Sequence, residues 1–237
     1  MDFDYLWEGG PVVLKSDGFR LSTDSVLLGN FVNLSGARKG VDLGCASGII
    51  SIIAMSLNGS LHMTGIEISP AEAETAGENI KLNGLEDRCD IICVDLRDCR
   101  EYLQSGSFDV VVANPPYFPV GSGPVSPDED RARARGEGTC SLNDICRAAS
   151  YLCRYGGKVA MVHKPERLAE LFSAMQEYGI EPKRLRMVCK DTDSPPSLVL
   201  VEGRRGGAPS LSIERNLYLF NADGTDTDEV KMIYHRT

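Results

Sequence analysis

Four places in the chain combine residue types and spacing that could do chemistry. They are VDLGCASG at Val41–Gly48, Glu67 within GIEIS, Asp95 after IICV, and Asn114-Pro115-Pro116-Tyr117 after FDVVVA. The last is the most demanding. Consecutive prolines fix the backbone and leave carbonyls that no helix claims. A conjugated nitrogen, such as an aromatic amine or a carboxamide, has a delocalised lone pair and is a poor nucleophile. Two acceptors, the Asn114 side-chain oxygen and the Pro115 carbonyl, can hold its two N–H groups, draw it toward a tetrahedral shape and aim its lone pair at an electrophilic methyl. Pro116 keeps the turn rigid, and the Tyr117 ring can stack on a planar acceptor. This is catalysis by positioning and electrostatics, with no strong general base.

The other three places read as a nucleoside site. Gly44 lets backbone approach a ligand without an intervening Cβ, and the helix that follows offers N–H groups and a positive dipole end. Asp42, Gly44, Cys45, Ala46 and Gly48 form this first group. The dinucleotide pattern Gly-x-Gly-x-x-Gly is absent, because its second and third glycines would fall at Ala46 and Ile49. Glu67, followed by Ile68, stands where an acid can accept both ribose hydroxyls; a plain helix N-terminal charge is the simpler alternative. Asp95 is placed to meet an adenine amino group.

The elements that must carry these residues alternate. VDLG, MTGIEI, IICVD and FDVVVANPP read as buried strands. Gly48–Leu57 and Pro70–Leu82 read as helices, the second with Ser69 as N-cap, Pro70 in its first turn and Asn83-Gly84 at its end. Ser141–Leu152 is a helix with a Ser141/Asp144 capping box, GGKVAMVH a strand, Pro165–Tyr178 a helix, and RLRMVCK, SLVLVEG and SIERNLYLF three late strands. Alternation implies parallel βαβ units. The fold expected is α/β and Rossmann-like, a mostly parallel seven-stranded sheet with helices on both faces, binding ligands beyond the strands' carboxyl ends near the switch point. One domain is expected, with residues 1–39 as an N-terminal segment covering the sheet edge and 40–237 as the core. Phe118–Gly138 reads as a long loop of the kind used for binding.

Composition narrows the partners. The 237 residues include eight cysteines without a Cys-x-x-Cys pair and three scattered histidines, so no metal site is expected. The start MDFDYLWEGG lacks a signal peptide's basic and apolar regions, and no apolar run is long enough to span a bilayer. A cytoplasmic protein without membrane contact is expected. A formal charge of −9 argues against diffuse nucleic-acid binding, leaving local clusters: Arg131, Arg133 and Arg135 in the long loop; Lys183, Arg184 and Arg186; and Arg204 with Arg205.

The order VDLGCASG, GIEIS, VDL, NPPY resembles class I methyltransferases that act on amino and amide nitrogens. More narrowly, SDGFRLSTDSVLLGNFV, RARARGEG, GGKVAMVHKPERLAEL and the stretch LVEGRRGGAPSLSIERNLYLFNADGTDTDEVKMIY resemble the bacterial valine-tRNA adenine N6-methyltransferase family. That resemblance implies S-adenosylmethionine as cofactor and an adenosine just 3′ of the anticodon as acceptor; among the basic clusters, Arg131, Arg133 and Arg135, directly after Asn114–Tyr117, are the first candidates to meet the RNA, and Arg204 and Arg205, near the end of a late strand, the second. It also implies that Arg20, Thr23 and Asp24 close over the methionine end. Two departures stand out: Ala46 replaces a glycine usual in class I enzymes, and Gly136 replaces the narrower family's histidine. Glutamine methylation of a protein, as in release-factor methyltransferases that share Asn-Pro-Pro-Tyr, is the runner-up, although those enzymes usually carry an additional N-terminal helical domain. A nicotinamide dehydrogenase leaves Asn114–Tyr117 unexplained. A non-enzymatic RNA-binding scaffold sharing the fold would not need all of Asp42, Gly44, Gly48, Glu67 and Asn114. A serine hydrolase lacks its Gly-x-Ser-x-Gly elbow.

Overall fold

The structure, a computed structural model, describes residues 3–14, 23–117 and 140–236. A hairpin of β1 (Phe3–Tyr5) and β2 (Val12–Leu14) opens the chain. Then come α1 (Thr23–Phe31), β3 (Lys39–Leu43), α2 (Ile49–Leu57), β4 (His62–Glu67), α3 (Pro70–Leu82) and β5 (Cys89–Cys93). A 3-10 turn at Leu96–Glu101 precedes β6 (Phe108–Ala113). The second half holds α4 (Leu142–Leu152), β7 (Cys153–His163), α5 (Leu168–Glu177), β8 (Ile180–Cys189) and β9 (Pro196–Arg205). Two short strands, β10 (Ser212–Ile213) and β11 (Leu217–Tyr218), and α6 (Asp228–Ile233) complete it.

Seven long strands run in the order β8-β9-β7-β6-β3-β4-β5. All neighbours from β7 to β5 pair in parallel; β9 alone runs against the others. The expected sheet is therefore present. The stretch SIERNLYLF is not one strand, however: it breaks into β10 and β11, each pairing briefly in parallel with β8.

Strand alternation sorts the core into two layers. Val110, Val112, Ala160, Val162, Leu198 and Leu200 meet α1 and α2 on one face, whereas Val41, Leu43, Val111, Ala113, Val159 and Met161 meet α4 and α5 on the other. Helix α2 reads IISIIAM, and all seven of these residues are buried. The N-terminal segment departs from its expected place: α1 lies on a sheet face beside α2 and over β7 and β9, not over an edge. The hairpin docks on α3, where Val12 N–H donates to Asn83 Oδ1 (2.9 Å) and Leu14 N–H to Asn79 Oδ1 (2.8 Å). The Ser141/Asp144 capping box is formed in full. Ser69 takes the N-cap position of α3 without capping through its hydroxyl. Residues Pro165–Arg167 form a 3-10 turn ahead of α5.

Close contact between α1 and α2 depends on Gly29, where an added Cβ would lie 2.8 Å from Ile53 Cγ2. Overpacking costs about 1–3 kcal/mol, while alanine in a helix gains up to about 1 kcal/mol over glycine. Gly29→Val, with a larger clash and a weaker helix former, should lower stability by at least about 2 kcal/mol in urea denaturation. An unchanged midpoint would mean that α1 does not pack as described.

Candidate functional site

Strand register assembles the site. At the carboxyl ends Leu43 pairs with Ile66 and with Ala113, and Glu67 pairs with Cys93. Chain order reverses between β3 and β6, so the loops after β3, β4, β5 and β6 open onto one crevice. There a cavity of about 240 Å³ is lined by Gly44, Glu67, Ile68, Asp95, Asn114, Pro115 and Pro116, with Leu96, Arg97, Cys140 and Ile145 completing its walls. Four loops far apart in sequence thus contribute to one concave space.

The loop after β3 turns through Gly44 at φ +72° and Ala46 at φ +45°. Ala46 therefore occupies the left-handed region in which a Cβ is disfavoured, which accounts for a glycine being usual there. The N–H groups of the loop itself are already engaged. Gly44 and Cys45 N–H both donate to the Ile66 carbonyl (2.8 and 3.0 Å), Ala46 N–H donates to Glu67 Oε2 (2.9 Å), and Gly48 N–H donates to the Cys45 carbonyl (2.8 Å). Gly44 faces open space, so the loop offers a ligand shape rather than these donors. Asp42, Cys45, Ala46 and Gly48 support the loop from behind and are not among the cavity-lining residues.

Asp42 is fully buried; Oδ2 accepts from Ser51 Oγ (3.0 Å) and Oδ1 has no partner. Burial raises its pKa to about 7, with the Glu67 charge adding and the Ser51 hydroxyl opposing. Glu67 is 8% exposed, and its second oxygen accepts from Ser69 N–H (2.9 Å). Each Glu67 oxygen keeps a lone pair beyond these bonds, and the residue lines the cavity between the apolar side chains of Ile66 and Ile68. Asp95 caps the following 3-10 turn, accepting from Arg97 N–H (2.9 Å) and pairing with the Arg97 guanidinium. This hydrogen bonding, above all, lowers its pKa. Asp95 is thus an ion-paired residue of the cavity wall.

Asn114 ends β6 with Nδ2 donating to Ser25 Oγ (3.3 Å). Pro115 is buried and Pro116 exposed. Tyr117 does not join them at the cavity. Its hydroxyl donates to the Asp24 carboxylate and also lies 3.3 Å from Asn114 Oδ1. Its ring meets His163 edge-on at 5.6 Å and carries the Lys164 ammonium 4.9 Å from its centroid. Burial and the neighbouring Asp24 hold the phenol well above its usual pKa. Arg167 Nη1 donates to the Tyr117 carbonyl (3.0 Å).

Thr23, in the first turn of α1, is not among the cavity-lining residues. Arg20, the Phe118–Gly138 loop with Arg131, Arg133 and Arg135, and Gly136 lie outside the described residues. The second basic pair needs correction. In the β7–β9 ladder His163 faces Val199 and Lys158 faces Arg204, so Arg204 and Arg205 lie at the opposite end of the sheet, roughly 17 Å down the strand. Arg205 there donates to the Cys153 carbonyl. Arg184 and Arg186 are paired with Glu202, Glu214 and Glu229. Ser25, Lys164 and Arg167 escaped sequence reasoning, because each comes from a helix or turn with no local motif. No group of residues able to hold a metal occurs among the described residues, and none of their helices is long and apolar enough to cross a membrane.

Comparison with known proteins follows this geometry. A family model described as "Methyltransferase small domain" matches residues 20–123. A Porphyromonas gingivalis protein named tRNA1(Val) (adenine(37)-N6)-methyltransferase is 30% identical over 191 residues, covering 78% of this chain and 74% of its own length. A protein of the same name from Aliivibrio salmonicida is 23% identical over 218 residues, covering 92% and 90%. Against two Shewanella proteins of that name the match spans only 65% and 54% of the relatives' lengths. Among solved structures, a predicted O-methyltransferase from Agrobacterium tumefaciens superposes with TM-score 0.74 at 20% identity, covering 91% of this chain and 97% of that one. At that identity the likeness concerns the fold.

Asp42 supplies a test that needs no ligand. The folded chain keeps a proton on Asp42 that the unfolded chain releases near its ordinary value of 3.8. Stability should therefore fall as pH rises from about 4 to about 7 and level off above. At about 1.4 kcal/mol per pKa unit the loss is a few kcal/mol. Asp42→Asn should remove that component, gaining on the wild type in urea denaturation at pH 8 but not at pH 4. An identical pH profile in the two proteins would show that Asp42 is not buried as a neutral acid.

Proposed function

We infer the function from this premise: the chain belongs to the tRNA1(Val) (adenine(37)-N6)-methyltransferase family. On that premise we propose that it transfers a methyl group from S-adenosylmethionine to N6 of the adenosine just 3′ of the anticodon in valine tRNA. The observation that carries the reading is the meeting of Asn114 and Pro115 with Gly44, Glu67 and Ile68 around one cavity. A buried carboxylate with spare lone pairs between apolar side chains suits a nucleoside, whose ribose offers two hydroxyls and whose base is flat. The residues present therefore fit the cofactor, which when bound supplies an electrophilic methyl on a sulfonium.

In this reading Glu67 accepts from the ribose, with Ile68 and Leu96 against the base and Asp95 at its amino edge. Asn114 Oδ1 and the Pro115 carbonyl accept the two N–H groups of the acceptor nitrogen and direct its lone pair. Asn114 Nδ2 is already occupied by Ser25, which leaves the amide oxygen as the group to accept from the acceptor nitrogen. An anticodon-loop base is unpaired, so drawing it into a pocket costs less than extracting it from a duplex. We assign RNA contact to Arg131, Arg133 and Arg135, which follow Tyr117 in sequence, and not to Arg204 and Arg205.

Asn114→Ala should abolish methyl transfer while leaving cofactor affinity nearly intact in calorimetric titration. Glu67→Gln should instead weaken S-adenosylmethionine binding by about 1.5–3 kcal/mol; unchanged affinity would remove Glu67 from the ribose. The acceptor is tested with total tRNA from a strain lacking the enzyme, followed by nucleoside analysis for N6-methyladenosine. Methylation of a release factor but not of tRNA would replace the adenine assignment with glutamine. Full tRNA activity in a triple Arg131, Arg133, Arg135→Ala variant would remove that loop from the recognition surface.

A further inference from the structure

The Asn114–Tyr117 segment is held by side chains of elements remote in sequence. From one side come Asp24 and Ser25 in the first turn of α1: the Asp24 carboxylate accepts the Tyr117 O–H, and Ser25 Oγ accepts from Asn114 Nδ2. From the other comes Arg167, in the 3-10 turn after β7, which grips the Tyr117 carbonyl. Helix α1 is a firm base for the first pair. It packs against α2 at Gly29.

One atom makes this arrangement more than a brace. Asn114 Oδ1 has a competitor, because the Tyr117 hydroxyl lies 3.3 Å from it as well as against Asp24. A phenol has a single proton, and a carboxylate is a stronger acceptor than an amide oxygen. While Asp24 holds that proton, Asn114 Oδ1 keeps its lone pairs for an incoming N–H. Remove the carboxylate, and the phenol turns its proton onto Asn114.

We propose that Asp24 is a positioning residue which, by accepting the Tyr117 hydroxyl's hydrogen bond, keeps the Asn114 amide oxygen free for the acceptor nitrogen. Ser25 holds the other end of the same amide, and Arg167 keeps the Tyr117 backbone from following its ring. The inference rests on the methyltransfer reading and assigns Asp24 a task other than contact with the cofactor.

The test is a double-mutant cycle with a spectroscopic arm. Asp24→Ala should lower kcat by about 10- to 100-fold, the range for small misplacements in a reacting group's surroundings. KM for the acceptor and affinity for S-adenosylmethionine should stay within about two-fold of wild type. Asp24→Asn, which restores an acceptor oxygen, should recover most of the rate. Adding Tyr117→Phe to Asp24→Ala should cost nothing further and recover part of the loss, because the competing hydroxyl is gone. Multiplying losses, or a kcat unchanged in Asp24→Ala, would overturn the proposal. So would a loss confined to cofactor affinity, which would return Asp24 to the cofactor site. The second arm needs no acceptor. In protein carrying carbon-13 at the tyrosine Cζ, the signal missing from Tyr117→Phe should shift in Asp24→Ala and much less in Asp24→Asn. An unmoved signal would show that the contact is absent, whichever acceptor the wild type methylates. If the wild type methylates glutamine and not tRNA, the same cycle is run on that acceptor, because Asn114 holds N–H groups in either case.

Discussion

Glu67 ends β4 with a nearly buried carboxylate whose two oxygens hold two different loops. One accepts from Ala46 in the turn after β3, and the other accepts from Ser69 at the entry of α3. Hydrogen bonds to an ionised acceptor are worth about 1.5–3 kcal/mol each, enough to fix loops that have no regular structure of their own. The residue also pairs in register with Cys93, so it sits at the level where the neighbouring strands end. The strained turn at Ala46, the mouth of α3 and the floor of the cavity all take their positions from this group. Its residual lone pairs are then available to whatever enters.

Two further carboxyl groups stand beside Glu67, neither of them a free charge. Asp42 lies behind it, unable to reach solvent and raised to about 7, with Glu67 contributing to that rise. Asp95 forms another wall, already neutralised by Arg97. A ligand with hydroxyls to donate suits the remaining lone pairs of Glu67. Among the described residues near the mouth, Arg167 is paired with Glu170 and Lys164 covers the Tyr117 ring. In the methyltransfer reading proposed above, contacts to the backbone of an RNA would fall to cations outside the cavity.

Two levels of constraint meet at Asn114–Tyr117. The prolines limit the backbone locally, while Asp24, Ser25 and Arg167 limit it from a distance. The same arrangement turns Tyr117 toward His163 and Lys164 rather than into the cavity. The residue expected to stack on the acceptor is, in the structure, the one whose hydroxyl links the loop to α1. Its ring would need to shed Lys164 from one face to receive a base there.

What the sequence determined by itself was whatever depends on neighbours along the chain. Alternating apolar and amphipathic runs fixed the seven long strands and the parallel sheet. Helix α3 begins and ends where Pro70 and Asn83-Gly84 place it, and the Ser141/Asp144 box caps α4, because caps and turns act within a few residues. The placement of Gly44, Glu67, Asp95 and Asn114 at one end follows from parallel strands all ending on the same side. Only the tertiary structure decided the rest. SIERNLYLF has the composition of a strand but meets only one partner, β8, and pairs with it in fragments. The residues 23–31 form a helix that any sequence reading could place at an edge or on a face; the fit of Gly29 against Ile53 puts it on the face, with Asp24 and Ser25 over Asn114. Arg204 and Arg205 lie at the carboxyl end of a strand, as Asn114 does, but that strand runs the other way, which carries them to the far end of the sheet. Strand direction and the partners of a polar side chain are set by contacts across the fold, and no local pattern encodes them.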